Sequence, residues 1–138
     1  MSLVIDSSMT LAWYFEDEKT DECTAVLHQV VREGAVVPPL WWLEVANGLQ
    51  VAVRRRRIDA AYRDISLRDL QRLSVRIEPG SNRQAWPAIL NLSDRFRLTI
   101  YDAAYLELAL RRGLPLATLD GELIQAARAE NVPLIGAA

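Results

Sequence analysis

Four acidic side chains occupy positions from which they can do chemistry. Asp6 directly follows the apolar run Leu3-Val4-Ile5. Asp120 stands just past a second run, Leu114 to Thr118. Asp102 opens an apolar helical pattern in which Tyr105, Leu106, Ala109 and Leu110 share its face, so it should point inward. Glu44 lies in Leu40-Trp41-Trp42-Leu43-Glu44-Val45-Ala46, the most apolar part of the chain. On its face Leu40 and Trp41 lie behind it and Asn47 and Gly48 ahead, two small residues that leave room for a ligand.

Each acid alone has a structural explanation. Asp6 and Asp120 can cap helices, and Asp102 can sit favourably on a helix dipole. Glu44 is harder to explain, because a lone carboxylate in an apolar helix costs several kcal/mol or stays protonated. Four acids directed at one place repel one another unless a cation neutralises them. Hard oxygen ligands suit Mg²⁺ or Mn²⁺. Such ions polarise phosphoryl oxygens and lower the pKa of bound water.

Scarcity excludes other chemistry. His28 is the only histidine, so one chain cannot build a histidine acid/base pair or a His/Cys zinc site. Lys19 is the only lysine, and no Gly-x-x-x-x-Gly-Lys loop exists. Phospho-accepting receiver domains and aspartyl-phosphate phosphatases use a late lysine, which this chain lacks. The phosphatases also want Asp-x-Asp, whereas Ser7-Ser8 follows Asp6.

The acids must be positioned by regular elements. Asp6-Ser7-Ser8 ends the first strand and starts a helix of about Met9 to Phe15. Thr20 or Asp21 caps a second helix, with Ala25, Val26, Val30 and Val31 at helical spacing, and Gly34 stops it. Ala35-Val36-Val37 is a second strand. Pro38-Pro39 begins a long helix from Leu40 to Arg57. Asp59 caps a helix of about Ala60 to Leu73, and Val75-Arg76-Ile77 is a third strand. Pro87 opens a helix to about Phe96, and Thr99 caps one of about Asp102 to Arg112 that Gly113 closes. Leu114 to Thr118 is the fourth strand, Asp120 caps a helix of about Gly121 to Ala129, and Val132 to Ile135 is an edge strand. Short apolar strands alternating with helices indicate an α/β fold with a mostly parallel sheet covered on both faces. Ligands in such sheets bind beyond the carboxyl ends of the strands, where Asp6 and Asp120 fall.

The 138 residues form one domain, 1–138, with 51% hydrophobic and 25% charged residues, which excludes disorder and collagen-like or disulfide-scaffold classes. The uncharged stretch from Gly34 to Leu43 contains Pro38-Pro39 and is far short of the about 20 residues a membrane span needs. Asp6 interrupts the only apolar run near the start, so no secretory signal is expected. The single cysteine, Cys23, suits a reducing cytoplasm. There are 16 basic and 18 acidic residues, a formal charge of −2. Setting the four acids aside leaves the remainder mildly positive and rich in arginine, whose planar fork grips phosphate. An acidic total is therefore no argument against a nucleic-acid substrate.

These motifs are similar to those of a known family. Val4-Ile5-Asp6-Ser7-Ser8 with Leu11-Ala12-Trp13-Tyr14 and Asp17-Glu18 resembles the opening of PIN-domain proteins of the VapC toxin type. Pro38 through Glu44-Val45-Ala46-Asn47 resembles their second acidic motif. Leu98-Thr99-Ile100-Tyr101-Asp102-Ala103-Ala104-Tyr105 resembles the third, and Leu116-Ala117-Thr118-Leu119-Asp120-Gly121-Glu122-Leu123 the last. The resemblance covers nearly the whole chain, in order and spacing. It implies a three-layer α/β/α sandwich with a parallel five-stranded sheet, a Mg²⁺- or Mn²⁺-dependent endoribonuclease acting on RNA, and a cognate antitoxin. It places Asp6, Glu44, Asp102 and Asp120 at the metal, with Ser8 and Thr118 in support. A homodimer is expected, with no membrane association. The competing readings are an inert interaction module that kept the fold and, behind it, another acid-cluster α/β phosphotransfer protein.

Other residues read as structural. His28 is expected to be a half-buried packing residue, Trp41 and Trp42 core, and Glu107 with Arg111 a solvated i,i+4 pair. Arg54 to Arg57 ends a helix, where cations suit the dipole, and the run is also a candidate contact for RNA or a partner. Glu122 lies near Asp120 but is not assigned to the metal.

Overall fold

The computed structural model describes residues 2–79 and 83–136. Among them the chain forms five strands: β1 (Leu3–Ile5), β2 (Ala35–Val37), β3 (Val75–Ile77), β4 (Leu116–Ala117) and β5 (Leu134–Ile135). Seven α-helices accompany them: α1 (Ser7–Ala12), α2 (Asp21–Glu33), α3 (Leu40–Arg54), α4 (Ala60–Gln71), α5 (Trp86–Phe96), α6 (Ile100–Arg112) and α7 (Gly121–Ala129).

The strands pair in the order β3-β2-β1-β4-β5, and every pairing is parallel. Parallel strands require crossovers, and crossovers of this kind are right-handed. The chain steps one way from β1 through β2 to β3, which lays α1 to α4 on one face. It then returns past β1 to β4 and β5, which lays α5 to α7 on the other. Packing agrees: α1 and α4 lie against α3, and α5 and α7 against α6. The result is a three-layer α/β/α sandwich. Leu3, Val4 and Ile5 are wholly buried at its centre, as a strand covered on both faces requires.

The strand order reverses between β1 and β4. Such a switch point opens a crevice at the carboxyl ends of the strands. Ile5 pairs with Ala117, so Asp6 and Thr118 leave the sheet side by side.

Several sequence expectations shift locally. The first helix begins at Ser7 and ends at Ala12, because Asp6 itself is the cap and accepts the Met9 N–H at 3.0 Å. The third helix ends at Arg54, and Arg56 adopts a left-handed backbone conformation beyond it. β4 and β5 are shorter than expected. The buried positions of α2 are Cys23, Val26 and Val30, so Ala25, Val31 and His28 face outward. Glu107 is buried rather than solvated, and the Arg111 guanidinium grips both its oxygens at 2.7 and 3.1 Å. Arg57 is tied to Asp17 and Glu18 at 3.0 and 3.1 Å and lies over the Phe15 ring. No helix among the described residues is long and apolar enough to cross a membrane.

Candidate active site

Asp6 directly follows β1 at the carboxyl edge of the sheet and is only 2% exposed. Three donors hold its carboxylate. The Ser8 hydroxyl lies 2.8 Å from Oδ1 and 3.0 Å from Oδ2, the Met9 N–H reaches Oδ1, and the Thr118 hydroxyl donates a short bond to Oδ2. These bonds favour the charged form, but burial outweighs them and pushes the carboxyl up to about 6. Asp102 adds a smaller repulsion in the same direction.

Ser8 and Thr118 also organise the last acidic motif. Ser8 Oγ accepts the Leu119 N–H at 2.9 Å, and Thr118 Oγ1 accepts the Asp120 N–H at 3.0 Å. Asp120 in turn caps α7 by accepting the Leu123 N–H at 2.9 Å. Its capping role and its place at the crevice therefore coexist, as they do for Asp6.

Asp102 lies in the first turn of α6, where the Thr99 hydroxyl caps the helix by accepting the Asp102 N–H at 3.1 Å. Tyr105, Leu106 and Ala109 on its face are buried, but Asp102 itself is only half-buried. Its carboxyl is also pushed up to about 6, first by burial and then by the negative charges of Asp120, Glu44 and Glu122. The negative charges of Asp120, Glu44 and Glu122 thus act on Asp102 in the same direction as its burial. Glu122, two residues after Asp120 and not assigned to the metal from the sequence, is near enough to repel Asp102 as well.

Glu44 is not the lone carboxylate that its apolar surroundings suggest. It is half-buried, and the Tyr105 hydroxyl donates to its Oε1 at 2.6 Å. On the Gly48 side the expected ligand space is filled, whereas Asn47 is exposed. A Cβ on Gly48 would run into the Leu11 side chain of α1, so this glycine serves close helix packing. One turn before Glu44, the Trp41 indole N–H donates to Thr10 Oγ1 at 3.1 Å, and the Thr10 hydroxyl donates to the Asp6 carbonyl at 2.8 Å. Helix α3 is thus anchored to α1 on both sides of Glu44.

The donor set consists of hard carboxylate oxygens, two of them on acids whose charged form is disfavoured without a counter-ion. That chemistry fits a hard divalent cation. Among the described residues no group of three or more His, Cys, Asp or Glu side chains is drawn together closely enough to hold a metal ion.

A curated relative, Ribonuclease VapC3 of Pyrobaculum aerophilum, is 28% identical over 125 residues, 91% of this chain and 94% of its own length. Two crystal structures share the fold. PAE2754 from Pyrobaculum aerophilum has a TM-score of 0.68 at 23% identity, covering 91% of this chain and 84% of its own. VapC20 of Mycobacterium tuberculosis, described as a sarcin-ricin loop cleaving toxin, has a TM-score of 0.64 at 17% identity, covering 91% and 95%. The family model of the PIN domain matches residues 3–129, which span all four acidic motifs, and the chain belongs to the PIN-domain family.

Proposed function

We propose that this protein is a divalent-metal-dependent endoribonuclease, the toxin of a toxin–antitoxin pair, and that it cleaves RNA phosphodiesters. The observation that carries this reading is the PIN-domain match over residues 3–129, which takes in Asp6, Glu44, Asp102 and Asp120. The names of VapC3 and VapC20 support it. Asp6, Glu44, Asp102 and Asp120 would hold Mg²⁺ or Mn²⁺. A bound cation supplies Lewis acidity at the phosphoryl oxygen and a more acidic water.

The chain's own residues prepare that chemistry. Ser8, Thr118 and the Met9 N–H keep Asp6 aimed into the crevice, so its orientation is set before a substrate arrives. The first turn of α6 presents Asp102 at the positive end of a helix dipole. Exposed apolar side chains directly precede three of the acids: Leu43 at 77%, Tyr101 at 60% and Leu119 at 38% exposure. Such faces suit the unstacked bases of single-stranded RNA. The only histidine, His28, is exposed on α2, the only cysteine is buried, and the Ser8 hydroxyl is engaged by the Asp6 carboxylate that it orients. The attacking group in this reading is water, the 3′ oxygen leaves, and the products carry 5′-phosphate and 3′-hydroxyl ends.

The same acid cluster attracts a guanidinium as it attracts a metal. The cognate antitoxin is accordingly expected to insert an arginine into the crevice or to cover it, on a cytoplasmic homodimer. An antitoxin complex that kept full nuclease activity would count against this.

The test is cleavage of RNA by the purified chain, free of antitoxin, with and without Mg²⁺ or Mn²⁺. Cleavage should need the metal and vanish in Asp6→Asn and Asp102→Asn proteins that still fold. Cyclic-phosphate ends formed without added metal would refute the mechanism.

A further inference from the structure

Tyr105 is wholly buried, one turn after Asp102 on α6. A phenol removed from water needs an acceptor, and this one finds it in a motif 61 residues away, on a helix of the opposite layer. At 2.6 Å the bond from its hydroxyl to Glu44 Oε1 lies in the range of charge-assisted O–H···O⁻ bonds. Among the described residues no hydrogen bond or ion pair reaches the other oxygen, Oε2.

A glutamate side chain rotates about three bonds, so anchoring the α3 backbone to α1 does not by itself aim its carboxylate. The phenol supplies the missing constraint. Its ring is locked by the core, and its hydroxyl carries no charge, so it orients Glu44 without adding to the repulsion around Asp102. A lysine or arginine there would instead compete with a cation for the carboxylate.

We propose that Tyr105 is a positioning residue that holds Glu44 by one oxygen and presents the other to a divalent cation. This rests on the metal-dependent reading of the site. Hydrogen-bond partners of ligating groups of this kind are worth about 10- to 100-fold in metal affinity.

The experiment measures Mn²⁺ binding to the metal-free protein by calorimetry or electron paramagnetic resonance, with far-UV circular dichroism as the check on folding. Tyr105→Phe should weaken Mn²⁺ binding at least about 10-fold. In a Glu44→Gln background the same change should have little further effect, because the group that Tyr105 positions has already lost its charge. Glu44→Asp, which draws the carboxylate away from the phenol and leaves the core untouched, should weaken binding even if Tyr105→Phe proves poorly folded. Wild-type-like Mn²⁺ affinity in folded Tyr105→Phe or in Glu44→Asp would overturn the proposal. So would an equal loss from Tyr105→Phe in both backgrounds, which marks a merely structural role. Failure of the wild-type chain to bind Mn²⁺ would instead overturn the metal-dependent reading itself, and the positioning role with it.

Discussion

The Thr118 hydroxyl donates to Asp6 Oδ2 across 112 residues of sequence, and its oxygen accepts the Asp120 N–H at 3.0 Å. One side chain thereby ties the acid that leaves β1 to the acid that caps α7. Both contacts lie at the point where the strand order reverses, so the bond also links the two halves of the sheet.

Replacing Thr118 with valine keeps the shape and removes both contacts. Asp6 would lose a donor in a buried site, and the Asp120 N–H would lose its acceptor. The expected cost is about 1–3 kcal/mol in denaturant unfolding, with nuclease activity falling as well. Thr118→Ser should restore most of the stability. A valine variant as stable as the wild type would show that the bond organises nothing.

The raised carboxyl of Asp6 makes a signed prediction about pH. Its folded value is about 6 against an ordinary 3.8, so the folded state holds a proton that the unfolded state has already released. The stability from protonated Asp6 is fully present below about pH 4 and is lost as pH rises through about 6. Asp102 shifts in the same direction. Asp6→Asn keeps an acceptor for the Met9 N–H and removes the charge. In metal-free protein it should raise stability at pH 7.5 by an amount on the order of 1–3 kcal/mol, with the gain fading below pH 4. Chemical denaturation at several pH values checks this.

Gly48 offers a test of the α1–α3 packing. In an ordinary helix interior Gly→Ala gains about 1 kcal/mol. Here the new Cβ meets Leu11, whose Cγ and both Cδ atoms all crowd the position. Gly48→Ala should therefore destabilise by about 1–3 kcal/mol. Combining it with Leu11→Ala should cost less than the sum of the two single changes, because the smaller side chain vacates the space. A simple sum would place the strain elsewhere.

What the sequence displayed of this architecture was mostly local. Thr20, Asp59, Thr99 and Asp120 cap the helices that they appear to start, because a cap is decided by a residue and the three that follow it. The strand runs were visible as apolar clusters, although β4 contracts to Leu116–Ala117 once pairing with β1 and β5 defines it. Side chains that meet across the fold were not legible. Tyr105 read as one more apolar position on the α6 stripe, and nothing near it pointed to a partner on α3. Gly48 read as open space because the sequence does not show that Leu11 fills it. Glu107 read as solvated because its burial depends on how α6 packs against the rest of the chain.

Tyr101 gives the substrate reading its own test. The residue is 60% exposed beside Asp102, in the first turn of α6, so little of the fold depends on its ring. If RNA is held with a base against this ring, Tyr101→Ala removes a stacking contact worth about 1–3 kcal/mol, or about 10-fold or more in affinity. Tyr101→Phe and Tyr101→Trp should bind nearly as well as the wild type, since each keeps a flat aromatic face. The measurement is fluorescence anisotropy of a short single-stranded RNA with Mg²⁺, in an Asp6→Asn background so that the RNA survives. Stacking releases few counter-ions, so the loss should persist when the salt concentration rises, whereas loss of a phosphate contact would shrink. Unchanged affinity in Tyr101→Ala, or equal losses in the alanine and phenylalanine variants, would remove Tyr101 from the RNA-binding surface.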